Sequence, residues 1–150
     1  MLFKPTEDYE VIDKYKNYLY AVWFHDTQGY RCGYVQIPEN HPFYEVHFTE
    51  LDFNSVGLTF SGHIKGLNGW FIGWDHHHLW DGIDEEGIRK LHGNDPNIED
   101  ILEYAKAMSG DSEYYNMYAT TEDVEAECHR VIEELIRIDK HKDETTDKEN

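Results

Sequence analysis

An α+β domain, built on one antiparallel sheet of about four or five strands with two C-terminal helices packed on one face, is predicted by three features of the sequence. Aromatic and β-branched runs with period-two alternation fill the first half of the chain, helical spacing with acidic entry turns takes over in the second, and the final helix carries the longest apolar stripe. With 150 residues, 39% of them hydrophobic, the chain can bury one core, so residues 1–138 are expected to form a single domain. The run DKHKDETTDKEN over 139–150 contains no apolar side chain and is expected to be an acidic, polar tail, disordered on its own.

The strand assignments follow from local chemistry. Tyr18–Phe24 (YLYAVWF) and Arg31–Ile37 (RCGYVQI) flank the turn-like His25-Asp-Thr-Gln-Gly29 and predict a β-hairpin. Pro38 and Pro42 then interrupt regular structure, and 38–54 is expected to be a loop whose Phe43, Tyr44, Phe48 and Phe53 pack onto the sheet. A second hairpin is expected in Gly57–Asp81. Leu58, Phe60 and Ile64 alternate with Thr59, Ser61 and His63, while Trp70, Ile72 and Trp74 alternate with Phe71, Gly73 and Asp75. A three-residue loop, Gly66-Leu67-Asn68 with Asn68 left-handed, would set Ile64 opposite Trp70, Ser61 opposite Gly73 and Thr59 opposite Asp75. That register produces a polar face of Thr59, Ser61, His63 and Asp75 leading into His76, His77, His78 and Asp81.

Helical signals follow. Asp84–His92 should form a short helix stopped by Gly93. Ile98, Ile101, Leu102 and Ala105 recur at helical spacing before Gly110, and Tyr114–Tyr118 is expected to add a short strand or an aromatic link. Thr120 and Asp123 form a capping pair for the last helix, on which Val124, Cys128, Val131, Leu135 and Ile138 step by four and three.

Charge and cysteine content exclude several classes. The formal net charge of −18 opposes direct binding to a nucleic-acid backbone and would favour a basic partner. Residues 95–150 hold 17 acids and 6 bases, so the helical half is the acidic half. Glu122, Glu125, Glu133 and Glu134 on the final helix are candidate partner-binding residues. Cys32 and Cys128 form no C-x-x-C pair and are expected to be buried free thiols in a reducing cytosol. No signal-like segment and no run of about 18 apolar residues occurs, so neither a membrane span nor export is expected.

Imidazole and carboxylate are ligands for divalent transition metals, which draws attention to Asp75, His76, His78 and Asp81. If the strand continues, His76 and His78 point the same way. Alternatively, D-x-x-H-x-x-D gathers Asp75, His78 and Asp81 on one side of a turn. A hydrogen-bonded structural cluster is an equal competitor. A metal-free version would use His78 as a base oriented by Asp75 or Asp81, with Ser61 or Thr59 as nucleophile, although no elbow motif marks it. His41, before Pro42, is expected to turn the chain with its imidazole on a backbone group. No phosphate-binding glycine loop is present.

Several of these pieces occur together. YRCGYVQIP-x-x-HPFY, VGLTFSG, GWFIGWD-x-x-H-x-x-D and a final helix containing AEC resemble a family of small acidic proteins encoded by bacteriophages and prophages, over about Gly29 to Leu135. Members often carry glycine where this chain has Asn40 and Val56. The family pattern matches Asp75, His78 and Asp81 but not His76 or His77, and it matches His41, Tyr44, Thr59 and Ser61, which makes that polar set candidate ligand-binding residues. The resemblance, taken with the net charge, suggests an accessory protein of the bacterial host cytosol that modulates a host factor, in the manner of a counter-defence inhibitor, the charge pointing to a basic surface on that factor. A hydrolase dependent on a divalent metal or ligand, built on Thr59, Ser61, Asp75, His78 and Asp81, is the rival expectation. A third is a protein that sequesters a nucleotide-like signal, with Arg31 or a metal offsetting the charge.

Overall fold

Five strands form one antiparallel sheet in the computed structural model, which describes residues 9–77, 82–108 and 118–149, with side chains as far as Lys140. They are β1 (Val11–Tyr15), β2 (Tyr18–Phe24), β3 (Arg31–Ile37), β4 (Phe60–Gly62) and β5 (Trp70–Asp75), in the spatial order β1-β2-β3-β5-β4. Three helices follow among the described residues: α1 (Glu85–His92), α2 (Ile98–Met108) and α3 (Thr121–Glu149). The fold is α+β, as its sequence predicts.

The first expected hairpin forms, with Tyr20 opposite Val35 and Val22 opposite Gly33. β1 was not expected. Its VIDKY sequence is charged in the middle, as suits an edge strand, and Lys16 and Asn17 (φ 49° and 68°) make the tight turn that sets Tyr15 opposite Tyr18. The 38–54 loop carries a single 3-10 turn at Phe48–Glu50, and its Phe43, Tyr44, Leu51 and Phe53 pack on the core.

The second hairpin corrects the expected register by one residue. Phe60 lies opposite Gly73, Ser61 opposite Ile72 and Gly62 opposite Phe71, and the connection runs from 63 to 69 with positive φ at Gly66 and Gly69, not at Asn68. The reason is that Phe71 and Ile72 are both fully buried, so β5 is apolar on both faces and alternation alone does not distinguish the two registers.

α3 lies across β2 and β3, and its stripe Val124, Cys128, Val131, Ile132 and Leu135 is fully buried against Tyr20, Val22, Val35, Ile37, Ile72 and Trp74. Each such side chain taken out of water stabilises the fold by about 1.5–3 kcal/mol. The expected capping pair forms: Asp123 N–H donates to Thr120 Oγ1 at 3.1 Å, and Thr120 N–H donates to Asp123 Oδ2 at 3.0 Å. α1 and α2 pack on each other and on Phe24 through Ile83, Ile88, Leu102 and Ala105, with Asp84 capping α1 and Gly93 ending it. Residues 139–149, expected to form a separate tail, continue the backbone of α3, since neither Pro nor Gly interrupts them. Of the Tyr114–Tyr118 link, only Tyr118 lies within the described residues.

Candidate functional site

The polar cluster predicted on the second hairpin is divided by the fold. Thr59 Oγ1 donates to Asp75 Oδ2 at 2.9 Å, and the other carboxylate oxygen accepts His77 N–H at 3.1 Å. Ser61, set opposite Ile72 by the corrected register, points to the face bearing α3 and accepts Phe48 N–H at 3.0 Å. It is therefore not brought to Asp75. His78 and Asp81 lie outside the described residues, so D-x-x-H-x-x-D is represented there by Asp75 alone. Among the described residues, no three histidine, cysteine or acidic side chains gather as metal ligands.

His76 and His77 diverge, as alternation requires. His76 Nε2 meets Glu127 Oε1 of α3 at 2.7 Å, beside the indole N–H of Trp74, which donates to the same oxygen at 3.1 Å. His77 stacks on Tyr30 with centroids 4.2 Å apart, and Tyr30 adjoins His25 and Trp23. Burial pushes the Tyr30 hydroxyl up to about 12 and the Cys32 thiol up to about 12, and it raises Cys128 further, so neither free, buried cysteine is a ready nucleophile.

His41 performs the backbone role expected of it. It is buried, its Nδ1 accepts Phe43 N–H at 3.0 Å, and its Nε2 sits 2.8 Å from the carbonyl oxygen of Leu135 in α3. Tyr44 packs partly buried against the main core. These two residues, Ser61 and the Thr59–Asp75 pair do not converge on one hairpin face.

The acids of α3 also depart from expectation. Glu134 is 7% exposed and accepts from Asn54 N–H at 3.2 Å, Ser55 N–H at 2.9 Å and the Ser55 hydroxyl. Glu133 accepts from Tyr15 and Lys16, and these bonds hold its carboxyl below the usual range. Glu125 accepts from the Tyr20 hydroxyl at 2.8 Å. Of the four predicted partner-binding acids, Glu122 alone is exposed.

Sequence reasoning missed the cluster around Arg31. This side chain is 5% exposed, donates to both oxygens of Glu10 (2.7 and 3.1 Å), to Asp84 Oδ2 (2.8 Å) and to the Ala119 carbonyl (3.0 Å), and lies over the Phe24 ring. Burial works against its charge, but Glu10 and then Asp84 raise its pKa overall. The cluster borders a cavity of ≈ 510 Å³ between α1, the start of α3 and the β1 end of the sheet. Because its guanidinium is spent internally, Arg31 does not serve as the counter-charge expected for a polyanionic ligand. The partners lie 21 and 53 positions away, beyond the reach of any local pattern.

Thr59 and Asp75 place a hydroxyl proton on a carboxylate, an arrangement that orients the threonine but activates it little without a stronger base. No family model, curated protein or solved structure matches the chain. Among the described residues, no helix is long and apolar enough to cross a membrane.

Proposed function

We propose that this chain is a phage- or prophage-encoded acidic accessory protein that binds a basic surface of a host protein, as a counter-defence inhibitor would. The observation that carries the reading is the outer flank of α2. Tyr104 and Met108, 49% and 47% exposed and one helical turn apart, stand beside exposed Asp100 and Glu103. Large apolar groups left in water within an acidic surround suit a partner that covers them and supplies cations around the rim. The carboxylates of Glu125, Glu133 and Glu134 are spent inside the molecule, which moves the proposed surface from α3 to α2. The sequence resemblance and the net charge of −18 supply the rest of the support.

Photocrosslinking from position 104 in host cells, followed by titration of the identified and purified partner, tests the reading. Asp100→Lys with Glu103→Lys is expected to weaken that complex by about tenfold or more, with the melting temperature unchanged. Unaltered affinity would remove α2 as the binding surface.

A second reading is favoured by the Thr59–Asp75 bond alone: a hydrolase or ligand-sequestering protein that uses Thr59 and Asp75 together with His78 and Asp81, which follow Asp75 in the sequence. Metal analysis of untagged protein, with thermal shifts in EDTA and in zinc or manganese, checks its metal-dependent form. No bound metal together with no shift would eliminate that form.

A further inference from the structure

The face of the sheet turned away from α3 holds a second cavity of a different character. Tyr34, Gly73 and Phe60 form one row across β3, β5 and β4. Because Gly73 has no side chain, the Tyr34 ring lies against its backbone and meets Phe60 edge-on, at 5.7 Å between centroids and 90° between planes. Residues 63–69 fold back over this row. They are held there by the Tyr9 hydroxyl, which donates to the Lys65 carbonyl at 2.6 Å, and by Gln36 Nε2, which donates to the Asn68 carbonyl at 2.8 Å. Between this flap and the sheet is a space of ≈ 400 Å³, lined by the rings of Tyr9, Trp23, Tyr34 and Phe60 and by Ile64, with exposed His63 and Lys65 at its rim.

Among the described residues no carboxylate lines this space. It offers aromatic walls, two of whose rings stand at a right angle to each other. Such a corner can surround a rounded cationic head, because the negative face of each ring attracts the charge while the walls exclude water. The alternatives are weaker. Among the described residues an anion would find Lys65 and His63 at the rim, and it would enter against the field of a chain carrying −18. A neutral guest would gain burial but nothing from that field.

We infer that this cavity binds an alkylated ammonium or guanidinium group. Such a group could belong to a modified lysine or an arginine of a partner protein, or to a free small cation, and the chemistry of recognition is the same. The inference stands apart from the α2 surface: a chain that failed to bind any basic protein through Tyr104 would still take the cation here.

The full chain is titrated by calorimetry with choline, N-acetyl-trimethyllysine methylamide and N-acetylarginine methylamide, and with 3,3-dimethylbutan-1-ol, the neutral counterpart of choline. Saturable binding of at least one cation is expected, with the neutral alcohol weaker than choline by about tenfold. A preference for the capped amino acids would assign the group to a partner's side chain, and a preference for choline to a free small molecule; either supports the inference. Phe60→Leu is expected to reduce cation affinity by about tenfold, and Lys65→Met to increase it. Since Phe60→Leu could disturb the hairpin, replacement of tryptophan by its fluorinated analogues provides a control that preserves shape, and affinity should fall stepwise as fluorine withdraws charge from the Trp23 face. Equal binding of choline and the neutral alcohol, no saturable binding of any cation, or an affinity indifferent to fluorination would each overturn the inference.

Discussion

On the face covered by α3, nearly every helical turn fastens a polar group to the sheet or its loops. Glu125 takes the Tyr20 hydroxyl, Glu127 takes Trp74 and His76, Glu133 takes Tyr15 and Lys16, Glu134 takes Asn54 and Ser55, and the Leu135 carbonyl meets His41. On the opposite face the rings of Trp23, Tyr34 and Phe60 are half-buried around a cavity, and two long-range hydrogen bonds hold the flap above them. Both faces are rich in apolar groups. They differ in what covers them: a long helix pinned through its carboxylates on one side, and a short flap over an open cavity on the other. Changes on the α3 face should therefore register as lost stability, and changes on the ring-lined face as lost binding.

The largest effect should come from Arg31, where β3 meets the α3 face. Arg31→Met leaves Glu10 and Asp84 facing each other without their cation, and denaturant unfolding is expected to show a loss of about 3–5 kcal/mol. A loss below about 1 kcal/mol would mean that the two carboxylates relax freely into water. Next comes Glu134→Ala, which removes the buried acceptor of the Asn54 and partly buried Ser55 amides and should cost about 1–3 kcal/mol by the same measurement. Phe60→Leu, on the other face, should cost less than about 1.5 kcal/mol. If it cost as much as Glu134→Ala, the distinction between the two faces would fail.

The smallest effect concerns pH. His25 is held below its ordinary range chiefly by burial; Asp26 works the other way and His77 adds to the depression. Its Nδ1 accepts Gln28 N–H at 3.1 Å, which requires the unprotonated nitrogen. The folded state thus resists protonation more than the unfolded chain does. Its contribution is complete above the ordinary histidine range and is lost as pH falls through it toward the depressed folded value. Urea midpoints should decline between pH 7.5 and 5.5, and His25→Asn, whose amide oxygen can accept the same N–H, should flatten that decline.

What could be read beforehand follows the range of the interactions involved. The Thr120–Asp123 cap, the Asp84 and Gly93 ends of α1, the α3 stripe and the first hairpin all depend on residues within a few positions of one another, and each was legible. β1 was not, because an exposed edge strand carries no apolar alternation. The register of the second hairpin escaped because β5 is buried on both faces, through Phe71 on one and Ile72 on the other, so that its apolar pattern fits either pairing. The candidate site divided for the same reason: a shift of one residue sends Ser61 to the α3 face and leaves Thr59 with Asp75. That the acids of α3 act as internal fasteners could not be seen from charge counts, which do not distinguish a carboxylate in water from one beneath a tyrosine hydroxyl.

Gly33 and Gly73 face each other's neighbours across β3 and β5. A Cβ on Gly33 would run into the Trp74 indole on one side of the sheet, and one on Gly73 would meet the Tyr34 ring on the other, at 2.6 Å. At this point the sheet is only a backbone thick, a septum with an indole resting on one surface and a phenol on the other. Pressure on the phenol is delivered to the peptide beside the indole, whose N–H is anchored to Glu127. A guest pressing on the phenol is therefore expected to register in the fluorescence of Trp74, which is buried under the helix and does not line the cavity.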